Sequence, residues 1–390
     1  MGTFGSLKRD HRTVLMLLRD GRPRTRVHLA DATGWARNTV GLRLEELVEA
    51  GLVTSTDEQN PGRGRPAALY SLHRESRLLF VASFGLTHAA FAVTDLLGAP
   101  VVSESVALSI EVGPTQSLAA ARDGLGRLIT RSRVSLDSIG AVVVGLPSSI
   151  HAATGRPINP SIMPGWSEFD VAEGFGSAFG RPVTAENDAN LMALGARVQE
   201  FPDASDLIFV KIASGVGAGI VSGGQLRRGA RGMAGEIGHL PIPRGDKLCT
   251  CGNRGCVAEY ATIGAVIRSL NDEGVAADSL ADIVSLTRLG NPHCTRILRQ
   301  AGRDLGEALV GLVAAVNPEV LILGGPLAAI SGDLLAGAQE VVYARAQPAL
   351  TSHLRMMAWR DHEEAALRGA AALGLDLLVE RGDAHPMSVA

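Results

Sequence analysis

A strand, a glycine-containing turn and a second strand occur twice in this chain, each time at the start of a long mixed α/β stretch. Leu78 to Phe84 and Ala89 to Thr94 read as strands, with Gly85 in the turn between them. Leu207 to Ala213 and Ala218 to Val221 repeat the arrangement around a second glycine-rich turn. A further buried strand follows each pair: Ile139 to Leu146 in the first case, Val320 to Leu323 running into Gly324-Gly325 in the second. Such a recurrence points to two related α/β lobes with a cleft between them. It places the first lobe at residues 75–200 and the second at 201–361, with an Ala/Leu-rich C-terminal helix (362–380) packing back on the first lobe.

The preceding residues, 1–74, follow a different period. Val14, Leu15 and Leu18 repeat at helical spacing and stop at Gly21. Thr25 is placed to cap a second helix containing Val27, Leu29 and Ala30, which ends at Gly34. A third helix carries Val40, Leu44, Leu47 and Val48 on one stripe and ends at Gly51. Leu52-Val53, the turn Asn60 to Pro66 and the return Ala67 to Leu72 make a hairpin. Three short helices and a hairpin are the pattern of a winged helix-turn-helix, mainly α.

Charge divides along the same boundary. Met1 to Arg74 holds 12 Lys/Arg against 8 Asp/Glu, a net of +4, while the rest holds 25 against 32, a net of −7. A basic head on an acidic body suits contact with a polyanion. In a helix-turn-helix the second helix of the motif enters the major groove and its early residues meet base edges. Here those are Arg37, Asn38, Thr39 and Arg43. Arg matches guanine and Asn matches adenine through paired hydrogen bonds. Arg63 sits between two glycines and Arg65 follows the second at the wing tip, where an arginine can enter a narrow minor groove. Thr25 and Arg26, with Arg24, begin the preceding helix and are candidates for phosphate contacts. Ala36 stands where a capping Ser would hold the recognition helix, a loss of about 1 kcal/mol.

Three of the four cysteines crowd into one octet, Cys249-Thr-Cys251-Gly-Asn-Arg-Gly-Cys256, a short way after Gly235-Glu-Ile-Gly-His239. In a reducing compartment such a cluster reads as a metal site rather than a disulfide. Three thiolates and one imidazole (His239, Cys249, Cys251, Cys256) suit a closed tetrahedral zinc, one per chain, with no position left for a reactive water. Cys294 stands alone in a helical stretch and reads as core filler.

Taken together, the winged head, INPSIMPGW (Ile158 to Trp166), ENDAN (Glu186 to Asn190), GEIGH, CTCGNRGCVAEY and LGG (Leu323 to Gly325) resemble the ROK family of repressors, open reading frames and sugar kinases. The resemblance runs from Leu7 to Gly325 and implies an actin-like, hexokinase-like two-lobed fold that holds a sugar. The family's sugar contacts carry over onto Asn159, Asn187, Asp188, Glu236, His239 and Glu259, with Asp188 at the position of the kinases' general base. Carboxylates and amides suit this role because each bridges neighbouring hydroxyls.

The nucleotide half departs from the kinase pattern. The family's first phosphate loop reads Asp-x-Gly-x-Thr, whereas this chain has Ser83-Phe84-Gly85-Leu86-Thr87. A hydroxyl brings no negative charge to Mg²⁺, a hard cation usually held through carboxylates. The second loop, Ser214 to Gly219, stays glycine-rich through Gly215 and Gly217, which a tight turn explains equally well. Gly85, Thr87, Gly215 and Gly217 therefore read as vestigial phosphate loops. The expectation is a sugar-responsive DNA-binding repressor, a homodimer or homotetramer, rather than an enzyme. An ATP-dependent hexose kinase is the alternative, and a protein-binding scaffold a third reading. No run of about 18 apolar residues suggests a membrane span, and MGTFGSLKRDHRTV lacks a signal-peptide core, so the expected location is cytoplasmic.

Overall fold

The computed structural model describes residues 9–57, 68–151, 153–158 and 163–381. Its contacts form two units: 1–188 with 367–390, and 189–366.

The head opens with α1 (Arg9–Leu18), β1 (Arg24–Thr25), α2 (Arg26–Thr33) and α3 (Arg37–Glu49), followed by β2 (Val53–Asp57) and β3 (Ala68–Leu72). The three strands form an antiparallel sheet in the order β1-β3-β2. The two-residue strand β1, too short to show a period, was not anticipated. The caps follow the residue types. The Thr25 hydroxyl accepts the His28 N–H at 3.2 Å, and α2 ends in a left-handed Gly34. Ala36 offers α3 no side-chain cap. Val40, Leu44 and Leu47 turn inward, whereas Val48, expected on the same stripe, is exposed.

In the first unit, β4 (Leu78–Phe84), β5 (His88–Thr94) and β6 (Pro100–Ala107) precede α4 (Pro114–Ser132), β7 (Ile139–Leu146), α5 (Val171–Phe179) and β8 (Val183–Asn187). The strand order is β6-β5-β4-β7-β8. The two hairpin pairings are antiparallel, and β4-β7 and β7-β8 are parallel. Phe80, Phe84, Phe91, Phe175 and Trp166 fill one side of this sheet and are fully buried.

The chain enters the second unit within α6 (Asp188–Gln199). There follow β9 (Leu207–Ile212), β10 (Val216–Ser222), β11 (Gln225–Leu226), α7 (Ala258–Ala261), α8 (Ile263–Asp272), α9 (Leu280–Arg288), α10 (Pro292–Val316), β12 (Val320–Gly324), α11 (Asp333–Arg345), α12 (Pro348–Thr351) and β13 (Arg355–Ala358). The order β11-β10-β9-β12-β13 again has antiparallel hairpins, then parallel strands. The two sheets thus share order and direction strand for strand, the duplicated arrangement of the actin/hexokinase-like fold. Cys294 is fully buried in α10.

The division between units falls at Asp188, not near residue 200 as the repeat suggested. Helix α6 belongs with the second sheet because a Cβ on Gly219 of β10 would lie 2.3 Å from the Ala189 carbonyl oxygen. The last helix, α13 (His362–Arg381), returns the chain to the first unit. Its Leu375, Leu378 and Val379 share one core with Leu15, Leu18 and Leu44 of the head and Leu79 of β4. Each leucine buried there contributes about 1.5–3 kcal/mol. Arg12 of α1 reaches Asp376 at 2.9 Å and Glu380 at 3.1 Å on the same helix. The head is therefore built partly from the other end of the chain. Among the described residues no helix is long and apolar enough to cross a membrane.

Candidate functional site

Helix α3 presents its first turn outward: Arg37, Asn38 and Thr39 are all exposed. With no side-chain cap from Ala36, the amides of that turn are left to water or to a ligand. Arg43, expected beside them as a base reader, is placed otherwise. Its side chain is only 12% exposed, and its guanidinium bonds Glu46 at 2.8 Å and Asp10 of α1 at 3.2 Å. These partners raise its pKa, led by the Glu46 hydrogen bond, and hold Glu46 below the usual carboxylate range. Buried His11 meets the same Glu46 carboxylate at 2.6 Å. Arg43 thus clamps α1 to α3. Arg26 is half-buried, donating to the Tyr70 hydroxyl at 3.3 Å with Glu45 at 3.6 Å, and Arg24 pairs with Asp20 at 2.6 Å. Thr25 spends its hydroxyl oxygen as the α2 cap. Arg63 and Arg65 lie outside the described residues.

Of the expected sugar-reading residues, Asn187 ends β8 and Asp188 begins α6. Carboxyl ends of parallel strands are where α/β sheets gather binding groups. Asp188 is buried, as is Glu186, whose carboxylate accepts the Asn187 N–H at 2.9 Å. Asn159 lies outside the described residues. In the second unit, Glu236 precedes a single helical turn, Ile237–His239, which His239 ends, and Glu259 sits in α7, where Arg268 donates to it at 3.0 Å. The GEIGH segment lies directly on β10: the Gly235 carbonyl accepts the Ala218 N–H at 2.8 Å. Gly235 has φ +99°, and a Cβ there would come within 1.8 Å of the Ala218 oxygen. Gly235→Ala should cost roughly 2–5 kcal/mol, a left-handed penalty of about 1–2 plus a clash of about 1–3. Urea unfolding of the purified variant measures it.

The ligand atoms of His239, Cys249, Cys251 and Cys256 all lie within 4.8 Å of one another. The Cys249 sulfur is 3.6 Å from His239 Nδ1, and the sulfurs of Cys251 and Cys256 are 3.6 Å apart. Zn–S bonds of about 2.3 Å in a tetrahedron put neighbouring sulfurs about 3.8 Å apart, so the set fits zinc. Its charge chemistry agrees. The Asn253 N–H, ahead of the neighbouring thiols, brings Cys251 down to about 7. Burial, then the same neighbours, pushes Cys256 up to about 12. Three thiolates in so small a volume need a cation among them. A zinc ion held by these four protein ligands would have a structural part and no open position.

The knuckle also braces the residues around it. Pro241 and Cys256 form an isolated β-bridge, and the Cys256 sulfur lies 3.6 Å from the His239 carbonyl oxygen. The Val257 N–H donates to Leu240 and the Glu259 N–H to Cys256. Glu236, His239 and Glu259 thus hang on one metal-clamped loop, in the manner of groups that orient neighbouring ligands.

Both glycine-containing hairpin turns are tight. The Gly85 N–H donates to the His88 carbonyl at 2.8 Å, and the His88 ring lies over Gly85. Across the second turn the Ala213 N–H donates to the Gly215 carbonyl at 2.9 Å. Ser83 is the second-last residue of β4, paired with Ala90 and Gly145, while Thr87 is exposed. A Cβ would meet nothing within 4 Å at Gly215 and only Ala189, at 3.9 Å, at Gly217.

A winged helical head joined to a duplicated actin-like body with a His/Cys metal knuckle defines a class: regulators built on a sugar-kinase fold. Residues 82–376 match the ROK family model, and the chain belongs to the ROK family. It is 25% identical over 390 residues to a putative xylose repressor of Caldicellulosiruptor sp. (strain Rt8B.4), covering 96% of this chain and 97% of the relative. The crystal structure of a ROK family transcriptional regulator, a homologue of the E. coli MLC protein, superposes with TM-score 0.80 at 23% identity, over 95% of this chain and 96% of that one. The ROK hexokinase from Thermus thermophilus superposes with TM-score 0.62 at 27% identity, over 76% of this chain and 98% of its own.

Proposed function

We propose that this protein is a cytoplasmic, sugar-responsive DNA-binding repressor of carbohydrate uptake or catabolism genes, acting as a homodimer or homotetramer. One observation carries the reading: a single chain joins an exposed recognition-helix turn, Arg37 to Thr39, to a body of sugar-kinase fold. The full-length likeness to a putative xylose repressor supports it, since that alignment includes the head. Arg37, Asn38 and Thr39 read operator bases. Asn187, Asp188, Glu236, His239 and Glu259, with Asn159, read sugar hydroxyls, and zinc keeps three of them in place. The sugar must bind the DNA-competent and DNA-incompetent states with different affinity, because equal affinity shifts nothing.

The body has given up phosphoryl transfer. Catalysis of that step is largely placement and charge, and Ser83 brings no carboxylate for Mg²⁺. A coupled ADP-release assay with glucose, mannose, xylose and N-acetylglucosamine should show no turnover. A rate above about 1 per second, the lower end for kinases, would instead make the protein a hexose kinase. Ser83→Asp should gain no activity, because His88 over Gly85 also crowds the first turn. Genome-wide mapping of occupied DNA identifies the operator.

A further inference from the structure

The sulfurs of Cys251 and Cys256 are 3.6 Å apart, and the two cysteines differ sharply in access: Cys251 is exposed and Cys256 is buried. Cys249 is also buried. Both residues of this pair lie in a loop hinged on Gly252 and Gly255, each in the left-handed region (φ +92° and +79°). A disulfide needs the sulfurs at about 2.05 Å, so closing this pair requires a movement of about 1.5 Å across a pliable turn. Peroxides attack the cysteine sulfurs that solvent reaches.

We propose that the knuckle is a peroxide-sensitive latch on the effector site, in which Cys251 is the attacked sulfur and Cys256 resolves it. The proposal rests on the sugar-sensor reading only for its last consequence, the loss of sugar binding. The Cys251 thiolate attacks one oxygen of hydrogen peroxide, breaking the O–O bond; the sulfur becomes a sulfenic acid and hydroxide leaves. The Cys256 thiolate then attacks that sulfur, forming the S–S bond and expelling a second hydroxide. Two sulfurs lose two electrons in all, and the peroxide, taking up two protons, becomes two waters. Only Cys249 and His239 would then remain to hold zinc, too few to retain it. The β-bridge between Pro241 and Cys256, and the Cys256 sulfur at the His239 carbonyl, then lose the geometry that held them. Glu236, His239 and Glu259 loosen together. Thiol reductant and zinc restore the site, since a disulfide is reversible where sulfinic acid is not.

The test uses the full-length zinc-loaded protein with millimolar hydrogen peroxide. Released zinc is read with a chromogenic chelator, the covalent product by peptide mapping, and loosening by hydrogen exchange over residues 235–261. One zinc released per chain, a Cys251–Cys256 linkage, faster exchange in that segment and recovery with dithiothreitol plus zinc support the latch. Retained zinc, irreversible over-oxidation, or linkage of a different pair overturns it. A Cys251→His variant keeps four ligands but lacks the attacked sulfur, and its zinc release should slow about tenfold or more. Wild-type mapping decides the matter if that variant fails to hold metal. Zinc release and linkage are read without any sugar, so they stand even if the effector proves not to be a sugar. Binding of D-xylose and D-glucose before and after peroxide tests the last consequence separately.

Discussion

Arg37→Ala combined with Asn38→Ala lowers operator affinity by about 10²- to 10⁴-fold at fixed salt, and relaxes base preference at the positions they read. Each bidentate base contact discriminates by about 1–3 kcal/mol, and these two side chains lie exposed on the uncapped first turn of α3. Arg43→Ala separates the roles. Its guanidinium joins Glu46 and Asp10 and supports buried His11. Losing it should cost the head about 1–3 kcal/mol, the range for hydrogen bonds to charged groups, and leave base preference unchanged in the folded fraction. Selection of bound sequences from a randomised DNA pool, paired with a thermal melt for each variant, distinguishes the two effects. A base preference altered by Arg43→Ala alone would return that residue to the DNA-reading set.

The second large effect concerns the metal. Cys256→Ser should purify with little zinc, lose sugar binding and exchange amide hydrogens rapidly through Gly235 to Ala261. Structural zinc contributes on the order of 10 kcal/mol in small zinc domains, where it makes the fold. Here the loss should stay local, because most of the core around Ile208, Leu321, Leu305 and Leu334 comes from outside the knuckle, which adds Ile237, Ile242 and Val257 to it. The second unit should therefore stay folded while its knuckle melts. Cys294→Ala is the control: that thiol lies in the core, outside the ligand set, and its loss should leave the zinc content unchanged. Metal analysis of chelator-free preparations, alongside circular dichroism, gives both readings.

Where periodicity was strong, the sequence pattern and the structure agree closely. β4, β7, β9 and β12 are buried apolar runs, and the turn and cap residues Thr25, Gly34 and Ala36 act as their chemistry dictates. The cysteine spacing was legible for the same reason: ligand chemistry is local. The strand β6 was hard to see because it lies at a sheet edge and mixes Val with Ser and Glu along a half-exposed face. The link from Arg43 to α1 was not legible because its partner Asp10 lies in a distant helix, and the local pair with Glu46 does not reveal it. The boundary at Asp188 depends on a close approach of α6 to Gly219, and the head's shared core depends on α13. Both are tertiary contacts between distant segments, which local pattern does not encode.

One sugar should alter how this protein holds DNA. The measurement is a titration of the mapped operator, at one salt concentration, with and without xylose, glucose, N-acetylglucosamine and their phosphates. One of these should change the operator Kd by about tenfold or more, a coupling of about 1.4 kcal/mol, and Asp188→Ala should abolish the change while leaving sugar-free DNA binding intact. An operator affinity unmoved by every sugar and sugar phosphate would rule out this coupling.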